Sequence, residues 1–139
     1  MFYLNLYIGD DMAYIKYKEL TKYFNFNKEI EKTTLPTYVT DYLKDGETIF
    51  KAYKTARDKG IFTNERMILF DVNPISNSKK IHIIPYSSIS SGAILFKLTT
   101  GSIFLSFDSG YQLKLNFIHL SPKDKTELRN LFTYMIDKV

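Results

Sequence analysis

The 139-residue sequence contains no cysteine, and only three of its nineteen basic residues are arginine. Without cysteine there are no disulfides, cysteine nucleophiles or thiolate metal sites, and the chain suits a reducing cytoplasm. Its apolar runs are too short to cross a bilayer as a helix. The first residues lack a basic region and Asn5 interrupts their apolar stretch, so they make a poor signal peptide. Met12 is an alternative start of the chain. We therefore expect a cytoplasmic protein.

Charge is present in moderate amount and is unevenly distributed. Residues 1–46 hold six Lys and seven Asp or Glu, whereas residues 47–139 hold thirteen Lys or Arg and eight Asp or Glu. A net charge of +4 is ordinary for a folded domain and well below that of dedicated nucleic-acid binders, so no nucleic-acid partner is expected. Scarce arginine beside abundant Ile, Asn, Tyr and Phe resembles the codon bias of a low-GC bacterium or its phage. An origin in a phage or mobile element, with a host protein as target, therefore stays open.

The first forty residues predict a helical extension, separate from a domain over residues 41–139. One helix is capped by Asp10 and Asp11 and has partly helical apolar spacing over Ile15, Leu20, Tyr23 and Phe24. A second short helix is expected over Leu35–Leu43, with Asp45-Gly46 ending it. The aromatic residues of this segment can pack on the domain or bind a partner; they are Tyr14, Tyr17, Tyr23, Phe24 and Phe26.

From Glu47 onward the apolar residues follow a period of two, which predicts antiparallel strands. Tight turns are expected at Asp58-Lys59-Gly60, Thr100-Gly101 and Asp108-Ser109-Gly110, with a longer loop over Asn73–Ser78. Six strands are predicted, over Thr48–Ala56, Arg66–Val72, Lys79–Ile84, Ser91–Leu98, Ser102–Asp108 and Tyr111–Phe117.

The chain closes with the strongest helix pattern in the sequence. Ser121 is placed as N-cap, Pro122 as first helical residue and Asp124 near a capping-box position. One apolar stripe follows, formed by Leu128, Leu131, Phe132, Met135 and Ile136. An amphipathic helix of this kind is expected to cover one end of a curled sheet.

Several motifs in the middle of the chain resemble those of the bacterial pleckstrin-homology (PH) domains. The stretch Leu43-Lys44-Asp45-Gly46-Glu47 is similar to the family's L-x-x-GE entry into the first strand. Residues 57–66, RDKGIFTNER, are similar to its RD-x-x-x-FTN-x-R signature, and Lys79-Lys80 with Ile84-Pro85-Tyr86 are similar to its K-K and IPY motifs. The resemblance is dense over residues 42–89 and loose over 90–139. Residues 73–78 depart from the family's glycine-containing turn.

The resemblance implies a mainly β fold with a C-terminal helix. Its expected form is a curled antiparallel sheet or partly open barrel of about seven strands in two near-orthogonal sheets, capped by the helix. Because six strands are read from the pattern, the seventh would come from a split of the first strand pair or from the N-terminal segment.

The signature also has a structural interpretation that is independent of the family. Arg57 and Asp58 can pair or cap a hairpin turn, and Arg66 can reach a carboxylate such as Asp58 or Asp71. Pro85 would end a strand. The residues interpreted as structural are Arg57, Asp58, Phe62, Thr63, Asn64, Arg66, Pro85 and Tyr86.

The sequence offers no motif for catalysis. It has no HExxH, glycine-rich phosphate loop or GxSxG. Its two histidines, His82 and His119, lie in or beside strands among apolar residues, which favours a side chain with one hydrogen-bonded nitrogen over a ligand. We therefore expect a non-enzymatic protein with no cofactor, no metal site and no catalytic residues.

Two kinds of binding function remain. The resemblance implies protein binding and self-association, often into rings through sheet edges, and Phe104 with the strand over residues 91–98 offers apolar surface for it. The alternative is a peripheral membrane module that binds anionic lipid headgroups through the basic first hairpin. The candidate cations for that role are Lys51, Lys54, Arg57, Lys59 and Arg66. A tight turn leaves little room for a headgroup, and Lys51 and Lys54 should face opposite ways, so assembly is favoured.

Overall fold

The computed structural model describes residues 21–137, which form nine strands and two helices. The helices are α1 (Thr37–Thr40) and α2 (Pro122–Asp137). The strands are β1 (Thr21–Phe26), β2 (Lys28–Glu29), β3 (Ile49–Lys54), β4 (Asp58–Thr63), β5 (Arg66–Val72), β6 (Lys79–Pro85), β7 (Ile89–Phe96), β8 (Gly101–Phe107) and β9 (Gln112–Phe117).

The strands form two sheets that do not close into a barrel. One sheet has the order β1-β9-β8-β7 and the other has the order β2-β3-β4-β5-β6. All neighbouring strands are antiparallel except β1, which runs parallel to β9. The predicted mainly β fold with a C-terminal helix is confirmed.

The main core lies between the inner faces of the two sheets and the helix α2. Strict alternation in β8 and β9 buries Ile103, Leu105, Leu113 and Leu115, as expected for strands with one solvated face. From the helix, Leu128, Leu131 and Met135 enter the same cluster. The predicted apolar stripe of α2 therefore closes one end of the two-sheet core.

The start of α2 is fixed by the predicted capping box. The Asp124 backbone N–H donates to Ser121 Oγ at 3.1 Å, and the Ser121 N–H donates to Asp124 Oδ2 at 2.9 Å. These reciprocal bonds satisfy two groups that a helix N-terminus otherwise leaves unpaired. The local sequence therefore determines where this helix begins.

A second, smaller core covers the outer face of the five-stranded sheet. Ala52, Ile61, Ile68 and Phe70 are buried there with Val39 from α1. Residues 30–43 pack over this face, and the helix expected over Leu35–Leu43 is limited to the four residues Thr37–Thr40. The segment that leads into β3 is therefore part of the folded structure.

The helical interpretation of Tyr23 and Phe24 is wrong, because both lie in β1. Parallel pairing with β9 buries Phe24 and Phe26 in the main core and leaves Tyr23 and Asn25 exposed on the other face. The expected helix cap at residues 10 and 11 lies outside the described residues. In its described part, the expected helical extension contains strands β1 and β2 and the short helix α1.

Two predicted turns are displaced. Residues 58–60 lie inside β4, and the turn before it spans residues 55–57, where Thr55 Oγ1 accepts the N–H of Asp58 at 3.0 Å. Gly60 faces the Phe26 ring, since a Cβ at Gly60 would lie 2.6 Å from Phe26 Cζ. The glycine thus permits close packing of β1 on β4. The other displaced turn ends at Thr100, because Gly101 already belongs to β8, whereas the turn at residues 108–110 is where it was predicted.

Candidate binding surfaces

The five candidate cations of the first hairpin do not converge on one site. Lys51 faces α2 and pairs with Glu29 at 2.8 Å and with Glu127 at 2.6 Å. Arg57 binds Asp71 at 3.0 Å. These two cations are therefore neutralised by different carboxylates of the same domain.

Arg66 forms a buried ion pair with Glu47, the carboxylate that the sequence interpretation missed. Arg66 Nε and Nη2 donate to Glu47 at 2.9 and 3.0 Å, and Arg66 Nη2 also donates to the Tyr42 carbonyl at 2.6 Å. The expected partners, Asp58 and Asp71, are not the ones Arg66 uses. The pair joins the family's GE motif to the end of its FTN-x-R motif. The spacing of these two motifs was the sequence signal that could have identified Glu47 as the partner of Arg66.

Glu47 is held as a carboxylate by its surroundings. Its side chain has no exposed surface, and burial alone would raise its pKa. The hydrogen bonds from Arg66, from the Lys44 backbone N–H and from the Thr63 hydroxyl outweigh burial and lower the pKa from 4.5 to about 2. The network therefore favours the charged form and fixes the entry into β3.

Arg57 and Asp58 lie where β1 meets the five-stranded sheet. Asp58 is buried and accepts the Asn25 backbone N–H at 3.1 Å, while Lys22 pairs with Asp71 at 3.0 Å. Burial raises the pKa of Asp58. Burial would also raise the pKa of Asp71, but the hydrogen bonds from Lys22 and Arg57 outweigh burial and lower that pKa. The distance from Arg57 Nε to Asp58 is 4.0 Å, longer than its bond to Asp71. These groups connect the N-terminal strand to β4 and β5.

The remaining signature residues surround the turn between β4 and β5. Asn64 Oδ1 accepts the Thr48 N–H at 2.9 Å, and the Tyr86 hydroxyl donates to the Thr63 carbonyl at 2.8 Å. Phe62 is fully buried in the main core, and Pro85 lies opposite Arg66 at the end of β6. All of these side chains contact neighbouring parts of the same domain.

Three carboxylates, Glu29, Asp124 and Glu127, have oxygens within 4.8 Å of one another. The ammonium group of Lys51 contacts two of them. A carboxylate cluster with a lysine among its members is already partly charge-compensated, so we interpret it as an ion-pair network that joins β2, β3 and α2.

The two histidines lie in different elements of the fold. His82 is in β6, where it contacts the Phe24 ring edge-on at 5.6 Å, and burial with the nearby Lys80 and Lys22 lowers its pKa. Its Nε2 atom is buried without a hydrogen-bond partner. Only Nδ1 could therefore form the hydrogen bond that the sequence analysis expected. His119 has a φ of 60° and lies between β9 and α2.

An open groove of about 450 Å³ lies between β6 and the turn that joins β8 to β9. Ile84, Phe107 and Tyr111 line it together with His82, and the Tyr111 hydroxyl is a second buried polar atom without a partner. The lining of the groove is mainly apolar apart from these two polar groups. The groove forms a recess beside the edge strand β6.

The four-stranded sheet exposes one of its faces and one of its edges. Phe104 is 37% exposed, and the Lys114 ammonium lies 5.1 Å from the centre of its ring. On β7, Ala93 lies opposite Phe104, and Leu95 is 48% exposed. The predicted apolar surface is thus brought together from β7 and β8.

Two mainly antiparallel sheets packed over one core and closed by a C-terminal helix define a pleckstrin-homology-like fold. The model of the bacterial PH domain family matches residues 18–137, and the chain belongs to that family. Among residues 21–137, no helix is long and apolar enough to span a membrane.

Two proteins of Bacillus subtilis are similar to this chain in sequence. The uncharacterized protein YjqA of Bacillus subtilis is 33% identical over 98 residues, covering 70% of this chain and 74% of its own. The uncharacterized protein YozO of the same organism is 35% identical over 77 residues, covering 52% and 67%.

Solved structures support the same fold assignment. A PH-domain protein from Shewanella loihica superposes with a TM-score of 0.64 at 20% identity, covering 78% of this chain and 95% of its own. A second, from Shewanella amazonensis, has a TM-score of 0.54 at 21% identity, covering 76% and 89%.

Proposed function

We propose that this chain is a non-catalytic, cytoplasmic PH-like module that binds protein and self-assembles, and that β7 is its pairing edge. The observation that carries the proposal is the character of β7. This eight-residue strand is the outer strand of the four-stranded sheet within the described part of the chain, and it contains no charged residue and no proline. Edge strands of this kind favour pairing with another chain.

The other edges of the described sheets are protected. Of the two N-terminal edge strands, β2 has only two residues, and in β1 the Asn25 N–H already donates to Asp58. The edge strand β6 begins with Lys79 and Lys80 and ends at Pro85, and charges and proline both discourage edge pairing. This contrast supports β7 as the pairing strand.

The hydrogen-bonding direction of β7 identifies the groups that would pair. The Lys97 N–H donates back to the Thr100 carbonyl at the adjacent turn. Because direction alternates along an antiparallel strand, the N–H groups of Ala93 and Leu95 face β8, and those of Ile94 and Phe96 face outward. Exposed Ala93 and Leu95 side chains would flank the new ladder.

Sedimentation velocity at tens of micromolar tests the proposal with the double variant Ala93→Lys/Leu95→Lys. The wild-type chain is expected to sediment as a species heavier than the monomer. Two lysines at the edge should weaken its self-association by at least about tenfold. The control Thr126→Lys/Thr133→Lys adds the same charge at exposed positions on α2 and should associate like wild type. A strictly monomeric wild type, or an edge variant that associates like wild type, contradicts the proposal.

The lipid alternative has weaker support from the hairpin. Three of its five cations, Lys51, Arg57 and Arg66, are already bound to carboxylates. Only Lys54 and Lys59 have no ion pair within the described residues.

A further inference from the structure

Three lysines lie side by side on adjacent strands of the five-stranded sheet. Lys28 of β2 is directly opposite Lys54 of β3, and Lys54 is directly opposite Lys59 of β4. Directly opposite residues have Cβ atoms about 5 Å apart and point to the same face of a sheet. The three ammonium groups therefore share one surface.

This surface is the outer face, the one covered further along by residues 30–43. Lys54 and Lys59 have the same parity as the buried residues Ala52 and Ile61 of the second core. They consequently point away from α2 and from the ion pairs of Lys51.

A fourth lysine joins the group through an aromatic ring from the N-terminal segment. The ammonium groups of Lys59 and Lys79 lie 5.5 Å and 5.2 Å from the centre of the Tyr38 ring. Tyr38 itself packs edge-on against Phe70, which fixes the ring on this face. We refer to Lys28, Lys54, Lys59 and Lys79 as the lysine cluster.

No carboxylate neutralises the lysine cluster within residues 21–137. None of its four members forms an ion pair there, whereas Lys22, Lys44 and Lys51 each pair with an acidic side chain. Like charges directly opposite one another destabilise a sheet. An arrangement that costs stability and has no internal counterion fits a site for an anion.

We propose that the lysine cluster binds a phosphate group, either on a soluble compound or on a lipid headgroup. Several ammonium groups on one face of a sheet match the multiple negative charges of a phosphate monoester or pyrophosphate. The proposal is independent of self-assembly, and it differs from a headgroup site in the first hairpin because it requires Lys28, Lys79 and Tyr38.

Isothermal titration calorimetry with inorganic pyrophosphate at low salt tests the site on the full chain. Saturable binding is expected, and Lys54→Gln should weaken it by about tenfold, the typical effect of losing one charge-assisted hydrogen bond. The control Lys97→Gln removes the same charge from the exposed turn between β7 and β8 and should bind like wild type. No binding, or equal weakening by both substitutions, overturns the proposal.

Thermal unfolding provides a second readout that does not depend on measuring affinity. Without phosphate, Lys54→Gln should raise Tm because it relieves the repulsion from Lys28 and Lys59. With pyrophosphate, the wild type should gain more stability than the variant. A Tm that falls in Lys54→Gln without ligand, or an equal gain in both proteins, contradicts the site.

Co-sedimentation with phosphatidylcholine vesicles containing phosphatidic acid identifies the source of the phosphate. Pelleting that pyrophosphate displaces and that Lys54→Gln abolishes assigns the site to a lipid headgroup. Pyrophosphate binding without pelleting assigns it to a soluble phosphate compound. Pelleting that is unchanged in Lys54→Gln, in a chain that does not bind pyrophosphate, overturns the proposed site.

Discussion

Replacing Glu47 with glutamine should remove a large part of the stability of this fold. The substitution keeps the side-chain shape but removes the charge that Arg66 contacts through two hydrogen bonds. The Arg66 side chain is only 16% exposed, so it would lose its partner where water compensates poorly. Breaking one side of a buried ion pair costs about 3–5 kcal/mol, and we expect about 3 kcal/mol at pH 7.

The lowered pKa of Glu47 leads to the same magnitude for its contribution to the free energy of unfolding. Hydrogen bonds from Arg66, Lys44 and Thr63 overcome the effect of burial and lower this pKa from 4.5 to about 2. At about 1.4 kcal/mol per pH unit, the carboxylate contributes about 3 kcal/mol to the free energy of unfolding at neutral pH. Because the folded pKa is below the unfolded one, this contribution is complete above about pH 4.5 and is lost as the pH falls toward 2.

Urea unfolding followed by circular dichroism measures both effects. The control is Glu65→Gln, which removes a carboxylate that pairs with Lys44 where both side chains are substantially exposed. Surface pairs contribute less than about 1 kcal/mol. Wild type should lose stability between pH 4.5 and pH 2.5 more steeply than Glu47→Gln. If Glu47→Gln costs no more than Glu65→Gln at pH 7, the assigned role of the buried pair is refuted.

Three further substitutions test single contacts by their effect on thermal or urea unfolding. Gly60→Ala should cost about 1–3 kcal/mol, because the new methyl group meets the Phe26 ring; an unchanged Tm would contradict that packing. Ser121→Ala should cost about 1 kcal/mol through loss of the helix cap, and no loss would argue against the capping box. Tyr86→Phe should cost about 1 kcal/mol because the Thr63 carbonyl loses its buried hydroxyl donor, and a neutral result would count against that bond.

Local features of the fold were readable from the sequence because neighbouring residues determine them. Ser121, Pro122 and Asp124 specify a helix start through bonds that span only three residues. The alternation over residues 112–117 likewise specifies a half-buried strand without reference to its partner. The resemblance over residues 42–89 then supplied the arrangement of the strands.

The features that were missed depend on distant partners. Tyr23 and Phe24 fit helical spacing, and only parallel pairing with β9 makes them part of a strand. Gly60 looks like a turn residue until the Phe26 ring is placed against it. The cluster formed by Lys28, Lys54 and Lys59 depends on strand register, which the sequence pattern does not specify.

Hydrogen–deuterium exchange of the β7 amides, followed by NMR at low and high protein concentration, tests the proposed assembly most directly. The outward N–H groups of Ile94 and Phe96 should exchange freely in the dilute chain and become protected as concentration rises. The N–H groups of Ala93 and Leu95, which face β8, should be protected at both concentrations. Exchange at Ile94 and Phe96 that does not change while the chain self-associates would contradict pairing through β7.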